Sequence, residues 1–175
     1  MQGFLGRLLG AALLRSETYE QVEADRSATL QSGAVVALSA VAAGIGSFEN
    51  GGLGGVAWGT LAALLGWYLW AYVTYWIGTR WLPGPETSAD HGELLRTIGF
   101  SSAPGILRAL GAVGGLGGIL SVVCGLWMLM TMVVAVRQAL DYRSTGRAIA
   151  VCAIGFPIYV AILVVTLLLT GPWPV

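Results

Sequence analysis

His91 is the one histidine of the chain, and it stands among Glu86, Asp90 and Glu93. An imidazole beside carboxylates is a metal-site composition, but such a site needs three or four converging ligands. No cysteine and no second histidine lies near, so the group reads as a solvated acidic loop and no metal is expected. Gly111, Gly114, Gly115, Gly117 and Gly118 make a glycine-rich stretch that a phosphate-cradling loop would also show. That chemistry requires a preceding strand and fixed glycine spacing, and neither is present. Instead the glycines pair four residues apart, Gly111 with Gly115 and Gly114 with Gly118, as close helix contacts in lipid do. Cys124 and Cys152 both sit in apolar runs and read as small hydrophobic groups, without a partner spacing for redox or metal work.

The polar side chains inside the apolar stretches are few: Ser39, Thr74, Ser101, Ser102, Ser121, Thr131 and Thr166. Catalysis needs convergent groups that exchange protons or attack a substrate, and no carboxylate or histidine falls in these stretches. Intramembrane proteolysis, proton-coupled transport and intrinsic electron transfer are therefore disfavoured, and no catalytic residue and no cofactor beyond a bound lipid is expected. Two cations flank a proline, Arg96 and Arg108 around Pro104, and Arg137 follows later. They are candidate contacts to lipid phosphates or to a small anion, with simple snorkelling to the interface as the plainer reading. Trp67, Tyr68, Trp70, Tyr72, Tyr75, Trp76 and Trp81 form an aromatic run. A cage for a cationic ligand is one reading. An interfacial belt including Trp70, Trp76 and Trp81, with Trp173 near the other end of the chain, is the preferred one.

The elements that must carry these residues are set by composition. Hydrophobic residues make up 56% of the 175 and charged residues 10%, and the mean hydropathy is +0.76. Soluble domains carry about 25% charge, so lipid is the solvent for most of this chain. Nine basic and nine acidic residues cancel, and no nucleic-acid footprint is visible. All the basic residues are arginine, for which we have no physical account.

Five spans are predicted, at about 28–48, 54–79, 94–113, 116–137 and 148–170, in an all-α bundle. Residues 1–27 form an arm whose Phe4, Leu5, Leu8, Leu9 and Ala12 recur at helical spacing, with Arg7 and Arg15 reaching toward headgroups. Met1–Leu14 lacks a signal-peptide cleavage pattern and is expected to be retained. A second short helix begins near Ser16, and its Tyr19, Glu20 and Glu23 are candidates for binding a cytoplasmic partner. Glu49–Gly52 reads as a tight turn. Helix packing is assigned to Gly55, Gly59 and Gly66 in the second span and to Gly111, Gly114, Gly115 and Gly118 around the fourth. The third span is shortened and kinked by Pro104, with Ser101 or Ser102 near the freed carbonyl. Arg137 and Asp141 stand at helical pairing distance. Pro172, Trp173 and Pro174 open an external tail at 172–175.

With five spans, eight of the nine arginines fall on one side, and only Arg108 lies near the other. The positive-inside rule then places the N-terminus in the cytoplasm and Val175 outside, in the periplasm of a bacterial inner membrane.

LLRTIGFSSAPGIL at 94–107, the glycine-rich turn and the Trp-containing span that closes on AVRQALDY together resemble the Yip1 domain family in its bacterial form, as does YEQVEADRSAT before the first span. The resemblance implies a five-helix membrane domain with a cytoplasmic N-terminus. Eukaryotic members act in vesicle trafficking through small Rab GTPases. Their DLYGP signature is absent here, so a GTPase partner is not implied. The expectation is a non-catalytic membrane protein that associates with other membrane subunits or with itself, alongside lipids. A small transporter, channel or lipid-organising protein is the alternative.

Overall fold

The computed structural model describes residues 3–46, 48–112 and 115–170. Its elements are α1 (Phe4–Ala12), α2 (Ser16–Ala24), α3 (Ala28–Gly46), α4 (Phe48–Trp76) running into a π-turn (Ile77–Trp81), α5 (His91–Ser101), a 3-10 helix (Ala103–Ala112), α6 (Gly117–Ala139) and α7 (Thr145–Thr170). The described residues contain no strand. Four stretches, Ala28–Ile45, Gly52–Trp81, Gly117–Ala139 and Thr145–Thr166, are long and apolar enough to cross a bilayer. The chain is an all-helical, multi-pass integral membrane protein.

The chain turns back between α3 and α4, and Gly44 then faces Val56 across the pair. Gly52 breaks the helical conformation there at a φ of 55°, a left-handed value that glycine adopts without penalty. The stretch expected as a third span, 94–113, is not one helix. α5 ends at Ser101 because Pro104 offers no N–H and crowds the preceding turn, and the chain continues as the 3-10 helix. The break exposes the Ser101 carbonyl, and the Thr131 hydroxyl of α6 donates to it at 2.7 Å. Backbone oxygens away from water must find such a partner. Ser101, expected with Ser102 to re-satisfy the carbonyl that Pro104 frees, instead donates its hydroxyl to the Ile98 carbonyl at 2.7 Å.

Register along α3 gives the direction of this broken segment. Gly99 packs on Ser32 and Gly105 on Ser39, so the segment runs parallel to α3. It is antiparallel to α6, since Thr131 meets Ser101 while Gly117 meets Gly111.

The arm is built into the bundle. Tyr19 is fully buried and donates to the Ala11 carbonyl at 3.1 Å. Trp127 of α6 donates its indole N–H to the Ala12 carbonyl at 2.8 Å, and the Phe4 and Phe100 rings lie 6.3 Å apart. Arg7 does not reach outward. It is 5% exposed and pairs with Asp25 at 2.6 Å and Gln31 at 3.2 Å. The apolar outer face of α1, with Leu5 and Leu9, remains exposed.

Packing is uneven along the bundle. One core gathers Ala71, Ile77, Leu94, Ile98, Val136, Leu140, Ala148 and Val151 at the end shared by the arm and the two polar loops. Toward the other end the faces carrying Leu53, Trp58, Ile119, Val122 and Leu163 are exposed. The polar loops are stitched together at the packed end. Tyr142 donates to Leu82 at 2.7 Å, Thr87 to Leu140 at 2.9 Å and Arg147 to Pro83 at 2.6 Å, while Arg143 pairs with Glu86.

Candidate functional site

Two cavities collect some of the residues singled out above, among them Gly66, Trp70, Arg108 and Arg137. The larger, about 640 Å3, is walled by Val36 and Ser39 of α3, Gly66, Trp67 and Trp70 of α4, Met128 and Met132 of α6, and Cys152, Phe156 and Tyr159 of α7. These positions cluster around the middles of the four long helices, so the cavity lies at half-depth. Its shape is held by hydrogen bonds that use up the indole donors. Trp67 donates to the Leu95 carbonyl at 2.9 Å and Trp70 to the Met132 sulfur at 2.9 Å. The Trp70 and Tyr159 rings meet edge-on at 5.5 Å. Gly66 faces the Tyr159 hydroxyl, which a Cβ there would approach within 2.5 Å and displace.

Arg108 is the charged member of this wall. Its Nη2 lies 3.3 Å from the sulfur of Met128, the midpoint of the 23-residue α6, and its Nε is buried with no hydrogen-bond partner. Sequence placed this arginine near the far face. Helical side chains lean back toward the N-terminus, which carries the guanidinium inward along the segment.

The second cavity, about 450 Å3, lies at the packed end between the arm and the loops, and Glu20, Glu23, Glu93, Arg137, Gln138 and Asp141 are among its walls. Gln138 donates to Glu20 at 3.0 Å. Glu23 is half-buried, and burial, reinforced by the nearby Asp141 and Glu93 charges, pushes its carboxyl up to about 7. Asp25 on the same arm is held down to about 2, by the Ser27 hydroxyl and then by Arg7.

The remaining expected site residues fall as follows. Arg96 is buried and gives Nε to the Glu23 carbonyl at 2.9 Å, so it closes the end of α2 and faces protein. Arg137 gives Nε to the Tyr142 carbonyl at 3.2 Å. Its expected pairing with Asp141 does not form as a helical pair, because α6 ends at Ala139 and Asp141 has a φ of 51°. Trp70 lines the cavity at half-depth, away from any interface, whereas Trp76 and Trp81 are exposed and stack edge-on at 4.8 Å. Gly111 packs directly on the Gly117 backbone, while Gly55, Gly59 and Gly118 have open space where a Cβ would stand. Gly115 has a φ of 74° and serves the turn. Gly114 and Trp173, with the 172–175 tail, lie outside the described residues. His91 is not in a solvated loop. It heads α5 under a capping box of Asp90 and Glu93, and its ring meets Tyr68, Tyr72 and Tyr75 edge-on at 4.9, 5.8 and 6.3 Å. Tyr19, expected on a partner-binding face, is buried in the core.

Sequence reasoning missed the half-depth cavity, because its walls come from every long helix. One signal was present: no acidic residue occurs between Gly51 and Pro85, between Leu94 and Leu140 or after Tyr142, so an arginine in the middle of the third segment has no local counter-charge.

Searches against curated proteins and against solved structures gave no match. The family model of the Yip1 domain matches residues 11–167. That span includes the four long apolar stretches whole, and the chain belongs to the Yip1 domain family.

Proposed function

We propose that the protein is a non-catalytic membrane component that acts by association, as an accessory or scaffold subunit of a larger membrane assembly or as an oligomer of itself. The observation that carries this reading is the outward face of α4. Gly55 and Gly59 stand four residues apart with nothing within 4 Å of where a Cβ would stand, beside the exposed Leu53 and Trp58. In lipid, helices associate where small residues let backbones approach, and this face has no partner among the described residues. Extraction in mild detergent followed by native-mass analysis tests it. The native protein is expected to run with companions or as an oligomer, and Gly55→Leu/Gly59→Leu as a monomer. A monomer for the unaltered protein at all concentrations would refute the reading.

The same reading includes five crossings. α5 and the 3-10 helix run parallel to α3, and eleven residues at about 1.5 Å plus ten at about 2.0 Å reach roughly 35 Å, enough for a bilayer core. The arm and both polar loops, with most of the arginines, share the packed end, which supports a cytoplasmic N-terminus. Labelling of single cysteines placed in the 82–90 and 140–147 loops tests this; opposite accessibility of the two loops would overturn it.

A second reading, a small transporter, channel or lipid-organising protein, is favoured by the half-depth cavity. Arg108→Gln should then change flux or lipid distribution in reconstituted vesicles, and an unchanged rate would remove Arg108 from that role.

A further inference from the structure

We infer that the half-depth cavity binds a long-chain carboxylate, a single acyl tail whose acid group is held by Arg108. This stands apart from the association reading, since the cavity walls and the Gly55–Gly59 face are different surfaces.

An arginine at the middle of a bilayer is costly unless it is paired. Here Nη2 has only a thioether, a weak acceptor, at 3.3 Å, and Nε is buried without a partner. The ion pairs among the described residues, Arg7 with Asp25 and Arg143 with Glu86, do not involve it. None of the residues that line the cavity is a carboxylate. Arg108 has no ion-pair partner among the described residues, which leaves its counter-charge to a bound anion.

The cavity says what kind of anion. Its volume of about 640 Å3 is within the ~300–1,000 Å3 typical of small-molecule sites. Apart from Arg108, the wall is made mainly of aliphatic, aromatic and thioether groups, with Ser39 and Ser102 among the few polar side chains. The Trp67 and Trp70 donors are already used on Leu95 and Met132. One guanidinium in an apolar chamber matches one planar carboxylate, which it grips through two parallel N–H donors. A diacyl phospholipid would bring two acyl tails and a headgroup, more than a cavity of about 640 Å3 holds. Leu129 of α6 and Phe156 of α7 line the cavity and are 62% exposed, so an acyl chain can enter sideways from the bilayer.

Trp67 and Trp70 supply the reporter. The purified full-length protein in detergent is titrated with parinaric acid, a fluorescent long-chain carboxylate, and energy transfer from tryptophan is read. Saturable binding is expected. The parinaric methyl ester, which keeps the chain and loses the charge, should bind about ten- to a hundredfold more weakly, as should Arg108→Gln against the acid. The ester comparison uses the unaltered protein, so it stands even if the variant fails to fold. Equal binding of acid and ester would overturn the inference and leave an apolar cavity only. Displacement by phosphatidylglycerol at concentrations as low as by oleate would also overturn it, in favour of a headgroup site.

Discussion

Replacing Glu23 by glutamine should stabilise the protein at alkaline pH and do nothing at acidic pH. Glu23 is half-buried at the wall of the polar cavity, and its carboxyl is pushed up from 4.5 to about 7, first by burial and then by Asp141 and Glu93, with Arg96 opposing. A raised carboxyl keeps its proton in the folded state over a range where the unfolded chain has lost it. The associated stability is fully present below 4.5 and is lost as pH rises through about 7. At full strength that displacement corresponds to about 3 kcal/mol. Water still reaches part of the side chain, and screening reduces the figure to about 1–2 kcal/mol. Glutamine cannot ionise, and it preserves the backbone carbonyl that Arg96 holds. The assay is the apparent unfolding temperature in detergent, variant against native, between about pH 4 and pH 8.5. At roughly 2–4 °C per kcal/mol, the variant should melt about 2–8 °C higher at the alkaline end and coincide with the native protein at the acidic end. An offset that is the same at every pH, or a variant that melts lower at alkaline pH, would refute the reasoning.

Thr131→Val keeps the shape of the side chain and removes the donor to Ser101; a loss of about 1 kcal/mol is expected in unfolding by denaturing detergent, and no loss would mean the broken segment satisfies its own carbonyl. Gly111→Ala should destabilise by about 1–3 kcal/mol, because its Cβ would come within 2.8 Å of the Gly117 backbone, whereas Gly118→Ala, facing open space, should not; similar melting of the two variants would contradict that packing. His91 is the one histidine, so its ring signals in an NMR titration are unambiguous. Burial lowers its pKa against the opposing pull of Asp90, and the midpoint should fall below the ordinary 6.5; a midpoint above 6.5 would place the ring in solvent.

Membrane residence was legible without any structure, because 10% charge cannot clothe a water-facing surface. Four of the expected spans coincide with long apolar helices to within a few residues, since length and hydropathy are properties of the local chain. The family was legible for a related reason: its match runs along contiguous sequence, residues 11–167.

Side-chain direction was not legible. Arg7, Arg96 and Arg108 look alike in a sequence, each an arginine beside apolar residues, yet one pairs with Asp25, one closes α2 at Glu23 and one stands half-way through the bundle against Met128. Their fates depend on partners up to 73 residues away, which no local pattern encodes. The glycines divide in the same way, Gly66 and Gly111 against neighbouring groups and Gly55 and Gly59 against none. Sequence by itself determined that this chain lives in lipid, where its long helices start and stop, and that Pro104 breaks the third segment, because each follows from local composition and backbone chemistry. The tertiary structure decided which arginine faces protein, which face of α4 meets nothing among the described residues, and that four helix middles line a cavity beside Arg108, because those are relations between residues that only packing brings together.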